Sequence, residues 1–293
     1  MNESVSYFDK VIAINPQDAA AWNNKGLALD NLGRHEEAIA AYDSAIAINP
    51  QYAKAWYNKG NALGNLGRYE EAIAAYDNAI AINPQLAAAW SNKGLALDNL
   101  GRYEEAIAAY DSAIAITPHL AEAWYNKGGA LDDLGRYEEA IVAYDRAIAI
   151  NPHLAEALNN KGLALRGLGR QEEAIAAYDS AIAINPHLAE AWGNKGVALC
   201  NLGKYEEAIV AYDNAIAINP QLADAWGNKG GALGDLGRYE EAIAACDNAI
   251  AINPQDATAW NNKGLALLGL GRHEEAEEAF DKAHEIDPTI EIP

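Results

Sequence analysis

Histidine and cysteine are the side chains that most often carry catalysis or bind metals, and their spacing here argues against both roles. His119, His153 and His187 recur 34 residues apart, each directly after a Pro. Neighbouring helices pack about 8–10 Å apart, so side chains one repeat apart are too distant to share a zinc ion. Cys200 and Cys246 stand at non-equivalent positions and do not predict a shared disulfide. Without a phosphate-binding Gly loop or a Cys-x-x-Cys or His-x-x-x-His motif, the sequence predicts no enzyme, no cofactor and no metal site.

An asparagine recurs every 34 residues and is the residue best suited to contact a partner. The series consists of Asn24, Asn58, Asn92, Asn126, Asn160, Asn194, Asn228 and Asn262. An amide offers both a donor and an acceptor, so it can pair with a peptide backbone. Rungs about 10 Å apart would each serve about three residues of an extended ligand. The pattern predicts an asparagine ladder. Two alternatives stay open: each Asn bonds the backbone of a neighbouring repeat, or duplication copied it without a role.

Variable positions on the same face would set the selectivity of binding. One residue after each recurring Trp position stand Asn23, Tyr57, Ser91, Tyr125, Asn159, Gly193, Gly227 and Asn261, and five after it Leu27, Asn61, Leu95, Gly129, Leu163, Val197, Gly231 and Leu265. From these we select Tyr57, Asn61 and Tyr125 as further candidate peptide contacts. Acidic residues recur on this face, namely Asp30, Asp98, Glu122, Asp132, Asp133, Glu156, Glu190, Asp224 and Asp235, against the bases Lys54 and Arg166. A neutral or basic segment is therefore the expected ligand.

A lysine and an aspartate recur in a fixed relation that predicts structural ion pairs. Each Lys from Lys25 to Lys263 follows an Asp by sixteen residues, beginning with Asp9–Lys25 and Asp43–Lys59. No acid lies three or four residues from Lys25 on its own predicted helix. We therefore expect these pairs to join successive repeats and fix their stacking register, with about 0–1 kcal/mol from each exposed pair.

The element that must position all of these residues is a 34-residue unit, of which Ala19–Tyr52 is the first complete copy. Apolar residues at helical spacing predict one helix from Ala19 to Leu32 and a second from about His35 to Ile48. Gly33 and the Asn49–Pro50 dipeptide end them. Small residues stand where the two helices must approach closely, and the recurring Trp is expected to be core. One such hairpin cannot bury both of its apolar faces, so it needs neighbours on each side.

The unit resembles the tetratricopeptide repeat family. The family pattern of Trp, Gly, Ala, an aromatic residue and Pro is matched at Trp22, Gly26, Ala38, Tyr42 and Pro50. It recurs in eight copies, with Leu158 in place of the Trp in one and Cys246 in place of the aromatic residue in another. Lys in place of Leu before the Gly, and Leu in place of Tyr after it, are systematic departures. The resemblance implies an all-α, right-handed α-solenoid of antiparallel helix-turn-helix repeats whose first helices line an inner, peptide-binding groove.

Some members of this family use an asparagine ladder in that groove, which favours the same role here. Others hold the C-terminal carboxylate of chaperones with converging Lys and Arg side chains. Lys54 and Asn61 alone do not form such a clamp, so we reject that function. The resemblance thus favours a non-catalytic scaffold that binds an extended peptide or protein segment.

The ends of the sequence predict a partial repeat before the array. Residues 1–18 have the pattern of an orphan second helix, 19–290 form eight tandem repeats in one solenoid, and 291–293 are a tail. The orphan helix indicates either a cut inside a longer protein or a cap. Polar Glu277, Glu278 and His284 on the last helix predict that no repeat stacks beyond it. The alternative function is a self-associating module whose half repeat stacks end to end on another copy.

Composition limits the classes of partner. The net charge is −21, with 42 acidic and 21 basic residues and no basic tract, so neither nucleic acid nor an anionic membrane surface is expected as a partner. The sequence has no apolar run long enough for a membrane span and no signal peptide at its start. Together with the scarcity of cysteine, this favours a cytoplasmic location.

Overall fold

The computed structural model describes residues 2–290, and every helix or strand assigned in that range is an α-helix. Met1 and the predicted tail, residues 291–293, lie outside the described residues. The chain divides into two compact units, Met1–Asn151 and Pro152–Pro293. Within each unit consecutive helices pack as hairpins, and each hairpin packs on the next. The fold is therefore an all-α solenoid, as predicted.

The helix bounds follow the 34-residue repeat. The first unit contains α1 (Asn2–Ile14), α2 (Ala19–Asp30), α3 (His35–Ile48), α4 (Ala53–Asn65), α5 (Tyr69–Ile82), α6 (Ala87–Asn99), α7 (Tyr103–Ile116), α8 (Ala121–Asp133) and α9 (Tyr137–Ile150). The second contains α10 (Ala155–Gly167), α11 (Gln171–Ile184), α12 (Ala189–Asn201), α13 (Tyr205–Ile218), α14 (Ala223–Asp235), α15 (Tyr239–Ile252), α16 (Ala257–Gly269) and α17 (His273–Ile286).

The turn inside each hairpin closes on a glycine with left-handed backbone geometry. Helix α2 of the first complete repeat ends at Asp30 rather than at the predicted Leu32. Its last turn tightens because the Leu32 amide donates to the Leu29 carbonyl, and the Arg34 amide reaches back to the same carbonyl at 3.0 Å. Gly33 permits this closure with φ of 73°, a conformation that L side chains rarely adopt.

A glycine–aromatic contact explains why the two helices of a hairpin can approach so closely. A Cβ atom built on Gly26 would lie only 2.5 Å from Cε1 of Tyr42, which is fully buried. The contact recurs throughout, with Phe280 and Cys246 replacing the tyrosine ring in two repeats. Ala38 and Ala45 are fully buried beside the ring. The predicted close approach at small residues is confirmed.

The recurring tryptophans are half-buried rather than fully enclosed, and each has a polar role that the sequence analysis did not foresee. The indole N–H of Trp22 donates to the carbonyl of Pro16 at 3.0 Å. Six further tryptophans make the same bond, at 3.1–3.2 Å, to the Pro six residues before them. Each bond ties the start of a first helix to the turn that precedes it.

The predicted ion pairs between successive repeats are confirmed in seven cases. The Lys Nζ lies 2.5–2.7 Å from the Asp carboxylate in Lys25–Asp9, Lys59–Asp43, Lys93–Asp77, Lys127–Asp111, Lys195–Asp179, Lys229–Asp213 and Lys263–Asp247. In the same repeats Nζ also stands 5.2–5.6 Å from the ring centroid of the Trp three residues earlier. Such cation–π contacts contribute about 0.5–1 kcal/mol at exposed sites.

The helices at the two ends carry exposed side chains on faces that are covered in other repeats. On α1, Tyr7 is 62% exposed, whereas its counterpart Ala41 on α3 is buried. On α17, Glu277 and His284 are exposed where Ile73 and Ile80 of α5 are buried. Glu278 is exposed as well, but its position is also exposed in other repeats, as at Val142 and Val210, so the prediction that Glu278 lies on the stacking face is wrong. Among the helices of residues 2–290, none combines the length and the apolar character that crossing a membrane requires.

Candidate functional site

The asparagine series lies where first helices of adjacent repeats meet. Within the first unit, α2, α4, α6 and α8 contact one another in succession, as do α10, α12, α14 and α16 in the second. Second helices of adjacent repeats make no such contact among the described residues. Each unit is therefore packed more closely on the side of its first helices. We call the surface of these first helices that carries the asparagines the first-helix face.

Four of the asparagine amides are already bound within the protein. Each Nδ2 donates to the residue 35 positions earlier, which follows the Trp position of the preceding repeat. The bonds are Asn58 to Asn23 Oδ1 at 2.9 Å, Asn92 to the Tyr57 hydroxyl at 3.2 Å, Asn194 to Asn159 Oδ1 at 3.1 Å and Asn262 to the Gly227 carbonyl at 3.2 Å. Asn58 is also buried, with 6% of its surface exposed. These amides link repeats, and the bond of Asn262 to a backbone carbonyl is the alternative that the sequence left open.

Two asparagines of the series, Asn126 and Asn228, have no hydrogen bond to any described residue. Both are half-buried on the first-helix face. The residues 35 positions earlier are Ser91, whose side chain is short, and Gly193, which has none. Neither amide therefore has the long side-chain acceptor that Asn23, Tyr57 or Asn159 provides, and neither bonds a backbone carbonyl as Asn262 does. Asn24 and Asn160 each accept a bond at Oδ1 from the preceding Asn, at 3.4 Å and 3.2 Å.

In the first unit, the selected residues Tyr57 and Asn61 both accept from Asn92 and both contact Tyr76 of a second helix. The Asn61 carbonyl oxygen accepts from the Tyr76 hydroxyl and from Asn92 Nδ2, both at 2.9 Å. The rings of Tyr57 and Tyr76 lie 6.1 Å apart between centroids. Tyr125 packs in the same way on Tyr144, also at 6.1 Å. These side chains support the first-helix face from within and leave only part of their surface to a ligand.

Each unit has a cavity on the first-helix face. In the first unit a cavity of about 500 Å³ is lined by apolar and amide side chains, including Leu27, Asn61, Asn92, Leu95 and Asn99, and by Asp30. In the second unit a cavity of about 390 Å³ is lined by Arg166, Glu190, Gly193, Asn194, Asp224, Gly227, Asn228 and Asp256, among others. The two cavities therefore differ in charge.

The acidic residues of the first unit are not equivalent to one another. Burial, reinforced by the charge of Asp133, raises the pKa of Asp98 to about 6. The same two causes raise the pKa of Asp132. Oδ1 of each is buried without a hydrogen bond among the described residues. Asp30, in contrast, lies 2.6 Å from Nδ1 of His35. The sequence analysis did not predict this contact.

The cysteines and histidines do not assemble into a reactive site in the part of the chain that the structure describes. Burial raises the pKa of the Cys246 thiol to about 12 and also raises that of Cys200, so both stay protonated at neutral pH. His119, His153 and His187 are exposed in the turns between hairpins. Across residues 2–290, no group of His, Cys, Asp and Glu side chains has the arrangement of a metal site.

Comparison with family models returns one description, tetratricopeptide repeat. One model matches residues 57–121 and 228–289, a second matches 19–52, 121–154, 155–188 and 189–222, and a third matches 211–244. Together these matches account for most of the chain. No curated protein matches the sequence.

Several solved structures are similar to this chain. YrrB, described as a TPR protein with an unusual peptide-binding site, is 27% identical over 63% of this chain and 95% of its own, with a TM-score of 0.55. MamA is 30% identical over 55% of this chain and 94% of its own, with a TM-score of 0.51. A tetratricopeptide repeat protein from Parabacteroides merdae is 17% identical over 86% of this chain and 99% of its own, with a TM-score of 0.63, a likeness of fold alone.

Proposed function

Because the chain belongs to the tetratricopeptide repeat family, we propose that it binds an extended peptide or protein segment on its first-helix face. The repeats and the structural neighbours support the broader role, a non-catalytic protein-interaction scaffold. YrrB, which is 27% identical, is described as having a peptide-binding site. We propose the same kind of ligand, a peptide, for the present chain.

The observation that carries the proposal is the pair of unbonded amides, Asn126 and Asn228. A half-buried amide gains about 0.5–1.5 kcal/mol from each hydrogen bond that it makes, and an extended ligand presents N–H and C=O groups along its length. We do not assign ligand contacts to all eight asparagines of the predicted ladder, because Asn58, Asn92, Asn194 and Asn262 already donate within the protein. We assign the principal ligand contacts to Asn126 and Asn228.

Charge supports a neutral or basic ligand. Asp98, Asp132 and Asp133 lie at the ends of α6 and α8 in the first unit, and Glu190 and Asp224 lie at the starts of α12 and α14 in the second. None of these five carboxylates forms an ion pair with a described residue. A segment carrying Lys or Arg would gain attraction along this face, and an acidic segment would be repelled.

The test is a comparison of two matched double variants. Dodecamer peptides selected from a random display library on the wild-type protein supply the probe, and fluorescence anisotropy gives its Kd. We expect Asn126→Ala with Asn228→Ala to weaken binding by about ten-fold, the effect of roughly one to two lost hydrogen bonds. The control is Asn78→Ala with Asn248→Ala, because both of these amides lie on second helices and bond their own backbone. If the two folded double variants bind the peptide with equal affinity, the assignment of ligand contacts to Asn126 and Asn228 is wrong.

End-to-end self-association is the second candidate, and the exposed Tyr7 of α1 favours it. The packing within the chain argues against it. Second helices pack on first helices, as α3 does on α4, but α1 and α17 are both second helices. A contact between α17 of one copy and α1 of another would not reproduce any contact inside the array. We expect sedimentation velocity to show one species at all concentrations. Concentration-dependent association that vanishes on deletion of residues 1–18 would instead support the second candidate.

A further inference from the structure

We propose that the cavity on the first-helix face of the second unit is an anchor pocket for one Lys or Arg side chain of the bound segment. The inference rests on the proposed function, since it names the side chain that the peptide would place there. The cavity lies over α10, α12 and α14 and reaches the start of α16. Its space, its charges and its free amide all point to this ligand.

Two glycines line the cavity, and Gly193 is the one that leaves open space. Gly193 and Gly227 follow the Trp position, where other repeats carry Asn, Tyr or Ser. A Cβ atom at Gly193 would meet only Cδ2 of Leu222, at 3.9 Å, so the position opens into the cavity. The resulting volume of about 390 Å³ falls within the range of ligand pockets, which is roughly 300–1,000 Å³.

Three carboxylates give the cavity its charge. Glu190 and Asp224 are exposed, and neither forms an ion pair or hydrogen bond with a described residue. Asp256 uses Oδ1 to cap α16 by accepting from the Ala259 amide at 3.0 Å. Its Oδ2 lies beside Gly227, where a Cβ atom would approach it to 3.3 Å. A cation in the cavity would therefore meet carboxylates on α12, on α14 and at the start of α16.

A single base, Arg166, lies at the other end of the cavity on α10. It forms no ion pair with the cavity carboxylates at 4.0 Å or less, so it does not neutralise them. Three carboxylates against one guanidinium leave a formal excess of two negative charges around the cavity. Arg166 repels a second cation, and it therefore directs the ligand's basic group towards Asp224 and Asp256.

The free amide of Asn228 also lines this cavity. Asn194, its neighbour in the series, is held by Asn159 Oδ1 at 3.1 Å. Asn228 can thus pair with the peptide backbone while the basic side chain of the same segment enters the space beside Gly193. The cavity of the first unit offers no such combination, because its one carboxylate, Asp30, is paired with His35.

The test uses two otherwise identical library-selected dodecamers, one with Lys and one with Leu at the central position. We expect the wild-type protein to bind the Lys peptide about ten-fold more tightly, by anisotropy at low ionic strength. Glu190→Gln with Asp224→Asn should remove most of this preference. The matched control is Glu172→Gln with Glu240→Gln, which neutralises two exposed carboxylates on α11 and α15 and should keep it.

A second variant tests the space and the free amide instead of the charge. Gly193→Asn restores the side chain found in other repeats and gives Asn228 the acceptor that Asn159 gives Asn194. It should weaken the Lys peptide while leaving all carboxylates in place. A Lys preference that survives both Gly193→Asn and the neutralised pair, or no Lys preference at all, would overturn the pocket while leaving peptide binding intact. Failure of any dodecamer to bind the wild type would overturn the proposed function as well.

Discussion

At the level of single residues, each hairpin depends on a glycine that makes room for the aromatic ring beneath it. Helix α8 has two adjacent glycines, and only the first of them lies against an aromatic ring. A Cβ atom on Gly128 would lie 2.5 Å from Cε1 of Tyr144, whereas one on Gly129 would meet no atom within 4 Å. Every repeat has a glycine at the position of Gly128 and few have one at that of Gly129, and the structure gives the physical reason.

The adjacent glycines give a matched pair of variants. We expect Gly128→Ala to lower the free energy of unfolding by about 1–3 kcal/mol, because the methyl group overpacks the ring. Gly129→Ala should raise it by up to about 1 kcal/mol, since alanine favours the helix and the space is open. Urea denaturation measures both. A loss of stability in Gly129→Ala equal to that in Gly128→Ala would contradict the proposed contact.

Asp98 predicts a stability that depends on pH. Its pKa is about 6 in the folded protein against an ordinary value of 3.8, so the folded state holds this proton more tightly than the unfolded chain. Ionisation therefore disfavours the fold progressively as the pH rises from about 4 through about 6. We expect Asp98→Asn to be more stable than wild type at pH 8, with a smaller difference at pH 5. The exposed Glu104→Gln on α7 is the control; a gain at pH 8 no larger than the control's would contradict the assignment.

At the level of elements, each junction between hairpins combines three weak contacts. Where α6 packs on α5, Lys93 pairs with Asp77 at 2.6 Å and lies 5.6 Å from the Trp90 ring centroid, while the Trp90 indole bonds the Pro84 carbonyl at 3.2 Å. Each exposed contact contributes about 1 kcal/mol or less. The stability of a solenoid is the sum of the stabilities of its repeats and of the interfaces between them. Small contributions at each junction therefore add up along the chain.

A double-mutant cycle isolates the ion pair. We expect Asp77→Asn to cost about 0–1 kcal/mol and Lys93→Met to cost more, because it removes the contact with Trp90 as well. The coupling energy between the two should be a few tenths of a kcal/mol and should shrink in 1 M NaCl. A coupling that is unchanged by salt would mean that the pair does not act through its charges.

Much of the helical structure could be predicted from the sequence. The hydrogen-bond network of the first-helix face could not. The pattern predicts the second helix at His35–Ile48, where it is found, because Gly33 and Pro50 bracket it. The hydrogen bonds of Asn58 and Asn92 were not predicted, because each depends on a side chain 35 residues earlier that only the stacking of repeats brings near. The signal was present in the variation itself. Two of the three short residues of the series that follows the Trp position, Ser91 and Gly193, stand 35 residues before the unbonded Asn126 and Asn228, whereas the third, Gly227, accepts from Asn262 at its backbone carbonyl.

At the level of the whole molecule, charge and repetition together define what can bind. The chain carries a net charge of −21, so it repels acidic partners at long range and attracts basic ones. The bonded asparagines link neighbouring repeats, and we propose that the two unbonded ones contact the ligand. The cavity of the second unit combines three carboxylates with the unbonded amide of Asn228. We therefore expect the ligand to bind on first helices.

Photo-crosslinking tests that placement most directly. A library-selected dodecamer with a benzophenone at its centre is bound and irradiated, and mass spectrometry locates the crosslinks. We predict that they fall on first helices, chiefly on α8 around Asn126 and on α12 and α14 around Gly193 and Asn228. Excess unlabelled peptide should suppress them. Crosslinks confined to second helices or to the turns between hairpins would contradict binding on the first-helix face.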